Sequence, residues 1–201
     1  MKTIDFRFFE ERDIDFIYKC KNDEKLNHMI VGQYHPFTYE EASLWVRNCM
    51  KGDRDDLQFW AICTNDDEKK IIGWASISKI DKINRSAFGN GTVIADKDYK
   101  DGMAFIETQL YLFKYVFEIL KLNRFYGCSL IGNKSSNLVS KLLLMKTEGI
   151  LRQAVFKNDQ FYDLQYDGIL RDEYYAYKDA GEYEMKAILK RLKVMRMNGM
   201  V

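Results

Sequence analysis

The sequence has few of the residues that cross-link or interrupt a chain. Pro36 is the only proline among 201 residues, and the four cysteines stand far apart, with no CxxC pair and no histidine at zinc-finger spacing. The only histidines are His28 and His35. These absences argue against a disulfide-stapled secreted fold and against a structural zinc site, so we expect reduced thiols and no metal.

The chain also lacks an excess of either charge and lacks long apolar runs. Lys plus Arg number 31 and Asp plus Glu number 30, which excludes a global field that would draw the protein to nucleic acid or to an anionic membrane. The first residues carry charges every few positions, and no later segment approaches the ~18 apolar residues of a membrane span. We expect a cytoplasmic monomer or homodimer without membrane or nucleic-acid partners.

The hydrophobic periodicity predicts strands and helices in a mixed order. Strands are predicted over residues 4–8, 57–64, 70–80, 90–96, 124–130, 149–156 and 160–170. A turn is expected at 84–88, before the fourth strand, and a hairpin turn at Asn158–Asp159, before the last. Helices are predicted from Asp13, from a capping box at Thr38–Glu41 to about Gly52, from Gly102 to Leu120, over 135–145 and over 181–197. An antiparallel meander followed by one strand–helix–strand crossover indicates an α/β (α+β) fold with a central, mostly antiparallel sheet of about seven strands.

The length suits one core rather than two independent domains. We therefore assign residues 1–175 to a single domain. Residues 176–201 are interpreted as a helical tail that packs on this domain or extends from it.

One stretch has the layout of a phosphate-binding turn. The apolar strand ending at Ala95 is followed by a charged loop and by a helix that opens at Gly102. A glycine at a helix N-terminus lets exposed amides approach a phosphate, which would make Gly102, Met103 and Ala104 the cradle. On its own, a glycine that opens a helix more often only satisfies a turn.

Three segments in order resemble the GNAT acetyltransferases, over roughly residues 4–175. Tyr99–Ala104 is similar to their Q/R-x-x-G-x-G/A loop. Asn133–Ser136 with Glu148–Arg152 is similar to the N-x-x-S…E-G-x-L-R pattern of the branch that acetylates ribosomal-protein N-termini. Tyr162–Tyr174 resembles the ending of the same branch. The resemblance implies the acyl-CoA N-acyltransferase fold, with acetyl-CoA as co-substrate.

The resemblance also implies which residues contact acetyl-CoA. The pyrophosphate would lie against the loop and helix start formed by Tyr99, Lys100, Gly102, Met103 and Ala104. The strand Val93, Ile94 and Ala95 would splay from its neighbour and polarise the acetyl carbonyl through a backbone amide, while Asn133 would bond the pantetheine arm. Asp101 departs from the family pattern, because it places a carboxylate where it could repel phosphate.

Direct attack by an amine needs a base, an oxyanion donor and a proton for the leaving thiolate. Ser140 occupies the place where many of these enzymes carry the tyrosine that protonates the thiolate. Glu148 or Asp163, acting through water, and His35 or His28 in the expected acceptor wall are candidate bases. The alternatives are structural: Asn133 also suits a helix cap, and loop histidines are usually only solvated.

The acceptor is expected to be a primary amine on a small molecule, with an amino sugar or its nucleotide favoured. The segment 27–37 offers aromatic and neutral polar groups, whereas a polyamine or basic peptide would need an acidic trough. The acidic residues that could form one look like turn residues: Asp53, Asp55, Asp56, Asp66, Asp67 and Glu68. Open alternatives are a protein N-terminal or polyamine acetyltransferase and a non-catalytic acyl-CoA-binding module.

Overall fold

The computed structural model describes residues 4–50 and 54–199, and seven strands form one sheet within these ranges. The strands are β1 Ile4–Arg7, β2 Leu57–Thr64, β3 Ile71–Asp81, β4 Ser86–Ile94, β5 Arg124–Leu130, β6 Lys146–Lys157 and β7 Gln160–Leu170. The α-helices are α1 Ile14–Lys21, α2 Glu24–Asn27, α3 Tyr39–Met50, α4 Met103–Lys114, α5 Lys134–Leu142, α6 Arg171–Asp179 and α7 Met185–Met197.

The strands are ordered β1-β2-β3-β4-β5-β7-β6 across the sheet. Only the central pair in this sheet, β4 with β5, is parallel, and the other five pairs are antiparallel. This arrangement confirms the predicted mixed α/β fold with a mostly antiparallel sheet and one parallel crossover. The connection from β4 to β5 runs through α4, because two parallel strands must be joined by a crossover of about a dozen residues or more, which is usually a helix.

Alternation along the strands divides the core between the two faces of the sheet. Trp60 and its neighbour Ala61 on β2 belong to different clusters, as successive side chains in a strand must. Helices α1 and α3 cover the face that carries Ala61 and Trp74. Helices α4 to α7 cover the face that carries Trp60. The two buried tryptophans, Trp60 and Trp74, are therefore core residues.

The long helix predicted from Gly102 is α4, and one π-helical turn, Tyr115–Ile119, continues it. Its apolar stripe packs the fully buried rings of Phe113 and Phe117 against Tyr174 of α6. Aromatic pairs of this kind add stability beyond the area that they bury. The helix that follows the candidate phosphate turn is thus anchored in the main core.

The prediction for the start of β4 was wrong. Residues 84–88 were expected to form a turn, but β4 begins at Ser86. The turn lies just before, where the Asp81 carboxylate accepts the amides of Ile83 at 2.8 Å and Asn84 at 2.7 Å. Asp81 therefore closes the β3–β4 hairpin early, as aspartate does in turns through its local hydrogen bonds.

Two local predictions were confirmed. The Thr38 hydroxyl accepts the Glu41 amide at 3.2 Å, and the Glu41 carboxylate accepts the Thr38 amide at 2.7 Å, which is a capping box for α3. Asn158 and Asp159 join β6 to β7 with positive φ values of 51° and 58°, as a two-residue hairpin turn requires. The predicted helix end at Gly52 lies outside the described residues.

The C-terminal region holds two helices where the sequence suggested one. Helix α6 follows β7 directly, because the Glu173 carboxylate accepts the Leu170 amide at 3.0 Å and starts the helix. Helix α7 then buries Ile188 and Met195 in the main core. In the described part of the chain, no helix is long and apolar enough to cross a membrane.

Candidate functional site

Strands β4 and β5 separate at their carboxyl ends. They pair only from Ser86–Gly89 with Arg124–Gly127. Beyond this point the end of β4 stays paired with β3, and the end of β5 stays paired with β7. A gap therefore opens in the middle of the sheet, where backbone groups that would otherwise pair with each other are available to a ligand.

A cavity of about 300 Å³ lies in this gap. Residues 88–93 of β4 and 127–129 of β5 form its sheet side, and Asp167 of β7 lies beside them. Met29, Ile30 and Val31, from the connection between α2 and α3, close one end. The helices cover it with Phe105, Gln109 and Leu112 from α4 and with Ser136, Val139 and Ser140 from α5. The lining is mainly apolar, with a few polar groups, as small-molecule sites usually are.

The backbone of β4 presents an amide to the gap. The Ala95 amide donates to the Ile72 carbonyl of β3 at 2.9 Å, so it points away from the gap. Because consecutive amides in a strand alternate in direction, the preceding amide, that of Ile94, points to the open side. Among the three residues predicted to polarise an acetyl carbonyl, Ile94 therefore has its amide suitably directed, and Val93 lines the cavity.

Gly102 opens α4 in a left-handed backbone conformation. Gly102 has φ +89°, and no atom lies within 4 Å of the position that a Cβ would occupy there. Met103 and Ala104 begin the helix behind it. The Asp101 carboxylate accepts the Met103 amide at 3.0 Å, so one first-turn amide is engaged by the protein itself. Lys100 is exposed.

Tyr99, which stands where the resemblance led us to expect a cofactor contact, packs its ring against the main core. It lies in the short 3₁₀ turn Lys97–Tyr99. Its side chain therefore anchors the loop to the main core and does not line the cavity.

Asn133 and Ser140 both line the cavity, on α5 or at its start. The Asn133 side chain accepts the Ser136 amide at 3.2 Å and donates to the Met29 carbonyl at 3.2 Å. It is thus the N-cap of α5 and also a link to the segment that closes the cavity. Both uses leave it at the cavity wall, where the sequence predicted a pantetheine contact.

Lys157, the last residue of β6, binds the segment of residues 27–31 that closes one end of the cavity. Its side chain is only 2% exposed, and its Nζ donates to the carbonyls of Asn27 and Ile30, both at 2.7 Å. Burial lowers the pKa of this lysine from its ordinary value, because the interior disfavours the charged form. A buried ammonium with two carbonyl acceptors positions Met29, Ile30 and Val31 over the cavity.

Several predicted catalytic residues lie away from the cavity. Glu148 forms a bidentate ion pair with Arg124 and does not line the cavity. His35 is exposed beside Phe37, and His28 is exposed with Nδ1 3.3 Å from the Asn158 amide nitrogen. The structure does not bring either histidine, or Glu148, together with Asn133 and Ser140.

Asp163 also lies elsewhere, on the outer part of β7, where its carboxylate accepts the Gln153 amide at 2.8 Å. Across residues 4–50 and 54–199, no cluster of three or more His, Cys, Asp or Glu side chains could hold a metal ion.

Sequence reasoning did not single out Asp167 as a candidate base, although it lines the cavity and is 4% exposed. The alternation of Asp163, Gln165 and Asp167 places all three on one face of β7, which was the available signal. The face could not be assigned to the cavity without knowledge of the strand order. Lys157 gave no signal, since a lysine before an Asn-Asp turn is ordinarily exposed.

With this geometry in view, comparison with known proteins assigns the class. The family model for the acetyltransferase (GNAT) domain matches residues 4–144. The chain therefore belongs to the GNAT acetyltransferase family, as the three sequence segments indicated.

Individual relatives are more distant. The Bacillus subtilis (strain 168) protein named "Putative ribosomal N-acetyltransferase YdaF" is 31% identical over 104 residues, which are 52% of this chain and 56%, about half, of that protein. Spermidine N-acetyltransferase from Vibrio cholerae, solved with CoA and spermine, superposes with a TM-score of 0.73 at 21% identity, covering 86% of this chain and 98% of that one. A Bacillus anthracis GNAT-family acetyltransferase gives a TM-score of 0.72 at 21% identity, with the same coverage. These structures share the fold.

Proposed function

We propose that the protein transfers the acetyl group of acetyl-CoA to a primary amine of a small molecule. The observation that carries this proposal is the gap between β4 and β5, because it opens into a cavity whose wall residues include Val93, Asn133 and Ser140. The gap and the cavity support direct transfer, which needs a thioester and an amine held side by side.

Acetyl-CoA fits the residues present. Gly102 leaves open space at the amino end of α4, where helix amides and the helix dipole favour a pyrophosphate. The Ile94 amide would donate to the acetyl oxygen, and Asn133 would contact the pantetheine arm. When bound, acetyl-CoA supplies an activated carbonyl and a thiolate leaving group. Ser140, on the cavity wall, would donate a proton toward that thiolate, directly or through water.

The acceptor side favours a small molecule over a polycation. The closing segment contributes the apolar side chains of Met29, Ile30 and Val31. Asp167 is the single carboxylate that lines the cavity within residues 4–50 and 54–199. This composition supports an amine carried on a largely neutral molecule, for which we favour an amino sugar or a nucleotide-linked amino sugar.

The acidic turn residues do not form a trough at the cavity. Asp55 pairs with Lys82 at 3.2 Å and Asp56 with Arg54 at 3.5 Å, beyond the paired end of β4. Asp66 lies in the β2–β3 turn, bonded to Thr64. None of these residues lines the cavity, and Asp53 lies outside the described residues. A polyamine or a basic peptide is therefore the less favoured acceptor.

Two measurements test the proposal in sequence. Isothermal titration should give saturable acetyl-CoA binding in the micromolar range, and a folded sample without binding would turn the assignment to a non-catalytic relative of the family. A thiol-release assay should then show turnover with amino sugars or nucleotide-linked amino sugars rather than with polyamines or peptides that carry a free N-terminus. Turnover confined to peptides or polyamines would overturn the small-molecule acceptor but keep the transferase assignment.

A further inference from the structure

Asp167 lies in the row of the sheet at which the strands separate. Gly89 and Gly127 form the last pair between β4 and β5, and Asp167 is the partner of Gly127 on β7. On its other side Asp167 pairs with Thr147 of β6. Partners in register share a face of the sheet, so the carboxylate lies beside two residues without side chains, at the apex of the gap.

The carboxylate is held in one orientation by its neighbours. The Thr147 hydroxyl donates to Oδ1 at 2.8 Å. The Gln165 amide nitrogen donates to Oδ1 at 2.9 Å and to Oδ2 at 3.0 Å. An ionised carboxylate has about four acceptor positions, so these two donors leave Oδ2 with capacity for another proton donor.

Few other groups in the cavity could accept a proton. Among the described residues that line it, Asp167 carries the only carboxylate and Cys128 the only thiol, and none is a histidine, lysine or tyrosine. Burial raises the pKa of the Cys128 thiol, which keeps it protonated at neutral pH. The side chains of Tyr166 and Glu148 lie on the other face of the sheet, because Tyr166 adjoins Asp167 in β7 and a Cβ at Gly168 would meet the Glu148 carboxylate.

We infer that Asp167 is the base that accepts a proton from the acceptor amine, an inference that rests on the proposed function. The amine nitrogen forms a bond to the thioester carbonyl carbon, and the nitrogen loses one proton to a carboxylate oxygen of Asp167. The bond from carbon to sulfur then breaks, and the thiolate leaves and takes up a proton. Asp167 returns its proton to solvent, so one amine and one acetyl-CoA become one amide and one free CoA thiol.

The first test is the pair Asp167→Asn and Asp66→Asn. Asp66 is a matched control because its carboxylate is likewise held by a threonine hydroxyl, at 2.7 Å, but lies in the distant β2–β3 turn. Loss of a general base lowers kcat by about 10²- to 10⁴-fold. We expect at least a hundredfold loss of kcat for D167N with acetyl-CoA affinity within about twofold, and wild-type kcat for D66N. A D167N enzyme with more than about a tenth of wild-type kcat would overturn the assignment.

Two further readouts separate a base from a carboxylate that only ties strands together. Formate should restore part of the activity of Asp167→Ala by accepting the proton in its place, and a folded D167A enzyme that formate cannot rescue would argue against a base. Thr147→Val keeps the carboxylate but removes one donor that orients it, so kcat should fall about five- to tenfold, and Thr147→Ser, which keeps a hydroxyl, should retain most of the activity. A T147V enzyme with wild-type kcat would also contradict the inference, even if both Asp167 variants failed to fold.

Failure of the proposed function would be visible in the wild-type enzyme alone. If it turned over none of the amines in the thiol-release panel, both the transferase assignment and the role of Asp167 would be overturned. If the wild-type enzyme is active and D167N keeps its rate, only the role of Asp167 is lost.

Discussion

Two segments that connect elements of the cavity, the β4–α4 turn (the cofactor wall below) and the α2–α3 segment (the acceptor wall below), are held in different ways. The turn between β4 and α4 has short-range contacts: Asp96 accepts the Asp98 amide at 2.9 Å, and Asp101 accepts the Met103 amide at 3.0 Å. Its contacts with the rest of the chain come from Asp96, which pairs with Lys70 at 3.2 Å, and from Tyr99, which packs on the main core. The segment between α2 and α3 is held instead by partners more than a hundred positions away. Lys157 binds the carbonyl of Asn27, and Asn133 binds that of Met29.

This difference falls between the part of the site proposed for the cofactor and the part proposed for the acceptor. A wall with several short-range contacts depends less on distant parts of the chain, which suits the binding of one common cofactor. A wall held by remote side chains can change its position when those side chains change, which suits variation in substrate. Substitutions at each wall should therefore affect different kinetic constants.

The largest effect should come from Lys157→Met. This change removes the donor from two carbonyls in the interior, so the free energy of unfolding should fall by about 2 kcal/mol. The Michaelis constant for the amine should rise at least tenfold, because Met29, Ile30 and Val31 lose their support, while acetyl-CoA affinity stays within about twofold. Urea unfolding, steady-state kinetics and titration calorimetry measure these quantities.

The exposed Lys141 of α5 provides the control, since Lys141→Met should change none of them. The difference in the free energy of unfolding between the wild-type protein and K157M should also depend on pH.

The pKa of Lys157 is lowered in the folded state, so the unfolded chain binds more protons between that lowered pKa and the ordinary value of 10.5. The wild-type protein should therefore gain stability relative to K157M as pH rises through this window. An equal loss of amine and acetyl-CoA affinity would remove the distinction between the walls.

An intermediate effect is expected at the cofactor wall from Gly102→Val. A β-branched residue at φ +89° costs roughly 1–3 kcal/mol of strain, so the turn should move away from the pyrophosphate. The Michaelis constant for acetyl-CoA should rise about tenfold and that for the amine less than twofold. Gly149→Val is the matched control, because Gly149 lies in β6 with no atom within 4 Å of a Cβ and without a positive φ. A parallel rise in both constants for G102V would indicate general misfolding.

The same contrast explains how much the sequence alone could predict. The turn at Gly102, the capping box of α3 and the Asn158–Asp159 hairpin depend on neighbouring residues, and each was found from short patterns. The fold class and the family followed from periodicity and from three spaced motifs. The start of β4 was misplaced because Asp81 closes the hairpin turn earlier than the turn expected at 84–88.

The acceptor wall and the candidate base were beyond such patterns. Asp167 becomes a cavity residue only because β7 lies between β5 and β6, and this order is a long-range property of the sheet. In sequence, Glu148 and Asp163 looked equally suitable as the base. In the structure, the Glu148 carboxylate pairs with Arg124 and the Asp163 carboxylate accepts the Gln153 backbone amide. Local spacing states which residues share a face, whereas packing decides what that face contacts.

The smallest effect, and the finest test of the cofactor wall, concerns Asp101. Its carboxylate occupies the Met103 amide at the start of α4 and places a negative charge near the expected pyrophosphate. Asp101→Asn removes this charge but keeps an acceptor of similar shape, so acetyl-CoA should bind about two- to fivefold more tightly, the size of one helix-terminal charge. Asp98→Asn, which removes a charge from the same loop but not from this amide, should improve binding less. If D101N instead weakens acetyl-CoA binding while D98N does not, the carboxylate is needed to shape the turn, and the cofactor wall is more sensitive to its own side chains than to their charge.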